Sequence, residues 1–274
     1  MHTDQGPKVD DVEFIQDEAQ TSNLVAASAS TFETAVHNID EGVGKDAPNG
    51  NEKTVPEFYS KAQKYWSEVP ATVNGMLGGL GYISAIDVQG SKNFIREIKV
   101  PGKRWALDCG AGIGRVSRNL LMPLFTKVDL VEQDPTFAEK ARELCAGDEA
   151  RCNNFGQVYN VGLQEFVAEH KYDLIWSQWV LGHLTDPDLL AFFRRMRFAL
   201  EPDAYFCIKE NVSQTKAAVK DEEDSSVTRP LEIYERILKE AGFRIVRKVR
   251  QQNFPKGLFP VYMIACKSNT KTGA

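Results

Sequence analysis

The chain has 274 residues, 42% of them hydrophobic and 26% charged, which fits an ordinary globular protein of one large domain or two small ones. No apolar run reaches the ~18 residues of a membrane span, and no basic-then-apolar stretch at the start suggests a secretory leader. The five cysteines (Cys109, Cys145, Cys152, Cys207, Cys266) are scattered and form no Cys-x-x-Cys pair, so reduced intracellular thiols are expected rather than a disulfide scaffold or metal site. Residues 1–50 hold ten acids and two lysines, a net of −8; the rest holds 31 bases and 28 acids, a net of +3, too nearly neutral to argue for nucleic acid.

The acidic, Ser/Thr/Ala-rich segment 1–52 reads as a disordered tail, with a short helix at 22–38. Structure is expected from Val55. Phe58, Ala62, Tyr65, Trp66 and Val69 recur at helical spacing, and Pro70 stops that helix. Val73 to Tyr82 contains Gly75, Gly78, Gly79 and Gly81, too many glycines for a helix interior, and reads as a loop wrapped over something. A helix over 87–99 follows, with Phe94, Ile95 and Ile98 inward.

From Lys103 apolar strands and amphipathic helices alternate. Strands are expected at 105–108, 127–131, 154–161, 172–177, 204–209, 243–250 and 260–266. Helices are expected at 116–125 (broken by Pro123), 137–145, 187–200 (with Asp186 as cap) and 231–241 (closed by Gly242). This is an α/β pattern: a mainly parallel seven-stranded sheet over 101–274, with helices on both faces and an N-terminal helical cap over 53–100.

Asp108-Cys-Gly-Ala-Gly-Ile-Gly114 joins the first of these strands to a helix. Its glycines permit a tight turn and close approach of a ligand to the backbone, and the helix start offers free N–H groups. Glu132 ends the next strand, where a carboxylate can accept both hydroxyls of a ribose. A dinucleotide fold spaces its glycines as G-x-G-x-x-G, and a P-loop needs Gly-Lys-Ser/Thr; neither is present. The pattern Asp-x-Gly-x-Gly-x-Gly is similar to the first motif of S-adenosylmethionine-dependent methyltransferases, of the class I, Rossmann-like fold.

Further motifs narrow the resemblance: Tyr65-Trp66, Gly75-Met-Leu-Gly-Gly79, Trp176-Ser-Gln-Trp-Val-Leu-Gly-His183, Lys209-Glu-Asn211 and Asp221-Glu-Glu-Asp-Ser-Ser226. In this order, from Phe58 to Cys266, they resemble the eukaryotic protein N-terminal methyltransferase family. That family methylates the α-amine of proteins beginning Xaa-Pro-Lys, after initiator Met removal, with S-adenosyl-L-methionine as methyl donor. The resemblance implies cofactor contacts by Asp108, Gly110, Gly112, Arg115, Glu132, Leu163 and Gln178. It implies a substrate channel lined by Trp66, Leu77, Gly78, Trp179, Asn211 and Tyr262. Asp224 and His183 match the pair that assists amine deprotonation, and Asp221 and Ser226 match positions that engage the substrate lysine. Residence in nucleus and cytoplasm, and protein substrates with exposed Xaa-Pro-Lys termini rather than nucleic acid or membrane, follow from the same resemblance.

The residues suit the chemistry. An α-amine has a pKa of about 7.7–8.0, so it arrives mostly protonated. A carboxylate can bind the ammonium and an imidazole can take its proton. Taken singly, the same residues have plainer readings: a structural histidine, a solvated acidic loop or helix cap at Asp224, and core packing for Trp66. Arg194, Arg195 and Arg197 read as the basic outer face of an amphipathic helix. A methyltransferase of other specificity and a non-catalytic cofactor-binding paralogue stay open as alternatives. Oligomeric state and degree of methylation are not readable from the residues.

Overall fold

The computed structural model describes residues 55–269. The expected acidic tail over 1–52 and its short helix lie outside the described residues. In chain order the helices are α1 (Val55–Glu68), α2 (Val73–Met76), α3 (Ser84–Ile98), α4 (Pro135–Ala146), α5 (Asp186–Phe198) and α6 (Leu231–Glu240). The strands are β1 (Trp105–Cys109), β2 (Lys127–Val131), β3 (Phe155–Tyr159), β4 (Tyr172–Gln178), β5 (Leu200–Asn211), β6 (Val219–Asp221), β7 (Ser226–Thr228), β8 (Phe243–Arg250) and β9 (Val261–Ser268).

Seven strands form one sheet in the order β3-β2-β1-β4-β5-β9-β8. The first five neighbours run parallel; β9 is antiparallel to β5, and β8 to β9. Side-chain alternation sorts the apolar strands onto two cores. Leu107, Ile175 and Phe206 pack with Phe192, Phe193 and Tyr234 of α5 and α6. Ala106, Leu174, Trp176 and Cys207 pack with Phe94, Ile95 and Ile98 of α3 and with Leu120. Both faces are covered, which is why β1 and β4 read as continuous apolar runs.

Five local expectations need correction. The stretch 73–82 is not an open loop: Thr72 accepts the Gly75 N–H at 3.0 Å and caps α2. Gly75 tolerates this because a Cβ there would lie 2.1 Å from the Pro70 carbonyl oxygen. A 3₁₀ turn over Gly81–Ile83 then leads into α3, which starts three residues before the expected 87. The helix cap of α5 is Thr185, whose hydroxyl accepts the Asp188 N–H at 3.3 Å; Asp186 is already helical and pairs with Arg229 at 2.8 Å. The helix after the glycine turn ends at Leu121 rather than Phe125, in a widened turn where the Met122 N–H reaches the Ser117 carbonyl at 2.8 Å. Asp224 caps no helix; it lies in the turn between β6 and β7.

A polar tie fastens α1 to the start of α5. The Tyr59 hydroxyl donates to Asp188 Oδ2 at 2.5 Å, and burial pushes its pKa up to about 12. Tyr59→Phe removes this charge-assisted bond and is expected to cost about 1.5 kcal/mol in chemical denaturation; an unchanged midpoint would show that α1 is held by apolar packing alone.

Candidate active site

The site lies at the carboxyl ends of the parallel strands, where open α/β sheets bind ligands. After β1 the chain turns through Gly110, Gly112 and Gly114 at φ of +73°, +54° and +79°, a region that favours glycine. The N–H groups of Gly110 and Ala111 donate to the Val131 carbonyl at 2.9 and 3.0 Å. Glu132 completes the turn: its Oε2 accepts the Gly112 N–H and its Oε1 the Asp134 N–H, each at 2.8 Å. Burial raises the Glu132 pKa to about 7, against the pull of these donors.

The turn after β4 is built in the same way. Trp179 has a left-handed φ of +55°, a strained conformation for a side chain of that bulk. Buried Glu210, on β5, holds the turn by accepting the Val180 and Leu181 N–H groups at 3.0 Å each. Burial lifts its pKa to about 7 as well. The turn continues into a 3₁₀ segment, Leu181–His183, that presents the imidazole.

Between the two turns lies a cleft lined by, among others, Trp66, Gly110, Gly112, Arg115, Glu132, Leu163, Gln178, Trp179 and His183. These nine are all residues that the sequence singles out. Gln178 and Arg115 are fixed from behind by Asp87 of α3, which is fully buried. Its carboxylate accepts from Arg115 Nη1 at 2.7 Å and from Gln178 Nε2 at 2.9 Å, while Trp176 Nε1 donates to Gln178 Oε1 at 3.1 Å.

At one side of the cleft, the Trp66 indole N–H donates to His183 Nε2 at 3.0 Å. The neutral imidazole therefore carries its proton on Nδ1, beside the Ser225 backbone. Asp224 Oδ2 stands 4.0 Å from the same Nε2. Burial pushes the His183 pKa down, opposed by Asp224, and pushes that of Asp224 up, opposed by Ser226 and His183. Asp224 Oδ1 accepts the Ser226 N–H at 2.9 Å, and Asp221 faces Ser226 across the β6–β7 hairpin. The hairpin packs on the imidazole turn, since a Cβ at Gly182 would lie 3.2 Å from the Val227 carbonyl oxygen.

Other expected residues stand outside the cleft wall. Asp108 is buried beneath the glycine turn, its Oδ2 accepting from the Ser117 hydroxyl at 2.5 Å. Its observed partner is thus the helix after the turn, not the cleft. Leu77 closes α2 next to Met76, which does line the cleft, and Gly78 follows it. Asn211 and Tyr262 lie on β5 and β9 in adjacent register pairs. The sequence reading missed Asp87, Lys209, Glu210, Met76 and Phe137. Asp87 had a signal: it shares one helical face with Ser91, Phe94 and Ile98, an acid on an apolar stripe.

The sequence profile of the AdoMet dependent proline di-methyltransferase family matches residues 54–267. The chain belongs to that family. It is 71% identical over 215 residues, 78% of each chain, to Alpha N-terminal protein methyltransferase 1 of Drosophila melanogaster. It is 44% identical over 218 residues to N-terminal Xaa-Pro-Lys N-methyltransferase 1 of Xenopus tropicalis, covering 77% of this chain and 96% of that one. A solved SAM-dependent methyltransferase of Leishmania major superposes with a TM-score of 0.72 at 40% identity, covering 77% of this chain and 83% of that one.

The family's cofactor is S-adenosylmethionine, and the cleft fits it. A Cβ at Gly112 would lie 2.8 Å from Met76 Sδ, and one at Gly110 would lie 2.5 Å from the Val180 side chain, so only glycine keeps this wall open. Trp179 Nε1 is buried without a partner. Val131, Val161 and Leu163 supply an apolar wall, and Arg115, Gln178 and Glu132 supply polar groups. Among the described residues no group of three or more His, Cys, Asp or Glu could hold a metal ion. No described helix is long and apolar enough to cross a membrane.

Each turn is held by an ionised carboxylate accepting backbone N–H groups, and protonation removes part of that acceptor capacity. Cofactor affinity is expected to fall several-fold between about pH 8 and about pH 6, as Glu132 and Glu210 take up protons. Calorimetric titration with S-adenosylmethionine reads this. Glu132→Gln and Glu210→Gln should each flatten part of the slope, and a pH-independent affinity in the native chain would reject the account.

Proposed function

We propose that a protein N-terminus enters beside the hairpin and gives up its α-ammonium proton to the His183–Asp224 pair. The chain is an S-adenosylmethionine-dependent methyltransferase of protein N-termini. Its substrates are termini beginning Xaa-Pro-Lys, the sequence in the names of its relatives. When bound, S-adenosylmethionine supplies an electrophilic methyl group carried on a sulfonium.

The observation that carries the proton step is the geometry at His183 Nε2, 3.0 Å from the Trp66 indole nitrogen and 4.0 Å from Asp224 Oδ2. With the imidazole neutral, the pair bears one negative charge. That charge attracts an ammonium into a partly dry site, where Coulomb attraction is stronger than in water. Asp224 Oδ2 binds the ammonium, and His183 Nε2 takes its proton once the Trp66 N–H turns away from it. The depressed pKa of His183 keeps Nε2 unprotonated and ready at neutral pH.

The rest of the proposal concerns the peptide. Trp66 and Trp179 offer ring faces to the cationic chain end. The Asn211 amide bonds a peptide carbonyl and sets the direction of the chain, with Leu77, Gly78 and Tyr262 beside it. Asp221 and Ser226 engage the lysine at position three. Arg115, Gln178, Glu132, Leu163 and the glycine turn hold the methyl donor. Residence in nucleus and cytoplasm belongs to the same proposal.

Mass spectrometry of a Ser-Pro-Lys peptide and its N-acetylated copy tests the reaction. Methyl mass is expected on the free-amine peptide alone; gain on both would move the transfer to the lysine. Asp224→Asn should lower kcat by about 10²–10⁴, with cofactor affinity unchanged. A variant that loses cofactor affinity instead would place Asp224 on the wrong side of the cleft.

A further inference from the structure

Asp87 touches neither the cleft nor the acidic hairpin, yet more of the site converges on it than on any residue of the cleft wall. Its side chain is fully buried. Oδ2 accepts from Arg115 Nη1 at 2.7 Å, and both oxygens lie at 2.9–3.0 Å from Gln178 Nε2. Oδ1 pairs with Lys209 Nζ at 2.5 Å. Lys209 is itself fully buried, and its ammonium also donates to the Asp87 carbonyl, the Ser91 hydroxyl and Gln251 Oε1 at 3.0, 3.0 and 2.8 Å.

The hub has two sides with different consequences. Lys209, Ser91 and Gln251 lie away from the cleft and neutralise the carboxylate there. Arg115 and Gln178 are on the cleft wall. Both are side chains whose reach exceeds what their own backbone fixes, and both owe their rotamers to the same carboxylate. Arg115 Nη1 has one further partner, the Ser84 hydroxyl, at a long 3.3 Å. The Gln178 amide is fixed at its nitrogen by Asp87 and at its oxygen by Trp176. Rotating that amide would set an N–H against the Trp176 N–H and an oxygen against the Asp87 carboxylate, so the two partners together fix which end of Gln178 is the donor.

We propose that Asp87 is the positioning residue for the methyl donor: from α3 it sets the orientation of Arg115 and Gln178 that the cofactor meets. This rests on the reading that Arg115 and Gln178 hold the cofactor. A carboxylate at the end of a helix that packs over the sheet makes that orientation conditional on α3 being seated. Asparagine at 87 would present an N–H to Gln178 or Arg115, donor against donor.

Calorimetric titration with S-adenosylmethionine, paired with thermal unfolding, separates positioning from bulk structure. Asp87→Asn is expected to weaken cofactor binding about ten-fold or more, with peptide KM at saturating cofactor little changed. Lys209→Met breaks the same buried ion pair on the side away from the cleft; it should lower the unfolding temperature but leave cofactor affinity near native. If Asp87→Asn does not accumulate folded, the double variant D87N/K209M, which removes one charge of each sign, is measured with the same expectation. Equal loss of affinity in Lys209→Met and Asp87→Asn would reduce Asp87 to a structural role and overturn the proposal. Loss in Arg115→Lys with native affinity in Asp87→Asn would overturn it while leaving the cofactor reading intact. Native affinity in Arg115→Lys, Gln178→Ala and Asp87→Asn together would overturn the cofactor reading itself.

Discussion

Two buried carboxylates hold two left-handed turns, and the cleft is the space between them. Glu132 pins the glycine turn after β1 and Glu210 the tryptophan turn after β4. Each acid comes from the strand next to the turn it holds, so register alone puts carboxylate and N–H groups in reach. A left-handed backbone persists only where its surroundings over-determine it, above all at Trp179, which lacks glycine's freedom. Buried carboxylates are suited to that task because each oxygen accepts more than one N–H, and the low dielectric strengthens those bonds. The cost appears in their acidity: both acids sit near neutrality in pKa rather than in the usual carboxylate range.

The charges then divide by function. Behind the cofactor wall the buried charges answer one another: Arg115 and Lys209 pair with Asp87, and Arg115 also pulls against the burial that raises the pKa of Asp108. At the hairpin, Asp221 and Asp224 stand beside a neutral imidazole. A cation is therefore favoured at the hairpin, where a peptide brings its ammonium.

The fold was legible because both faces of the sheet are covered: β1, β4 and β5 show as apolar runs, and Gly110, Gly112 and Gly114 mark the first turn. Boundaries went astray where side chains cap or clash over several residues. Thr185 displaced Asp186 as a cap, and the glycines of 73–82 concealed a helical turn that Thr72 closes. The cleft wall was legible through motif spacing. The supports behind it were less so, since Lys209 and Glu210 sit at the end of a strand and look like solvent-side charges until α3 covers the first and the turn after β4 the second. Asp87 is the instructive miss. A helical wheel puts it with Phe94 and Ile98, and an acid on such a stripe must have a buried cation to face.

That rule explains why the two halves of the chain form one site. The apolar residues of α3 that join the sheet core lie mainly in its second half, from Phe94 to Ile98. Its first half, which follows the 3₁₀ turn over Gly81–Ile83, is fastened through Asp87 and Ser84. Apolar packing is non-directional and would tolerate small slides of the helix. A carboxylate bound to a guanidinium, an amide and an ammonium at once is directional and does not. α3 is seated to hydrogen-bond accuracy where Asp87 holds it, and that is directly behind the residues where accuracy matters for methyl transfer.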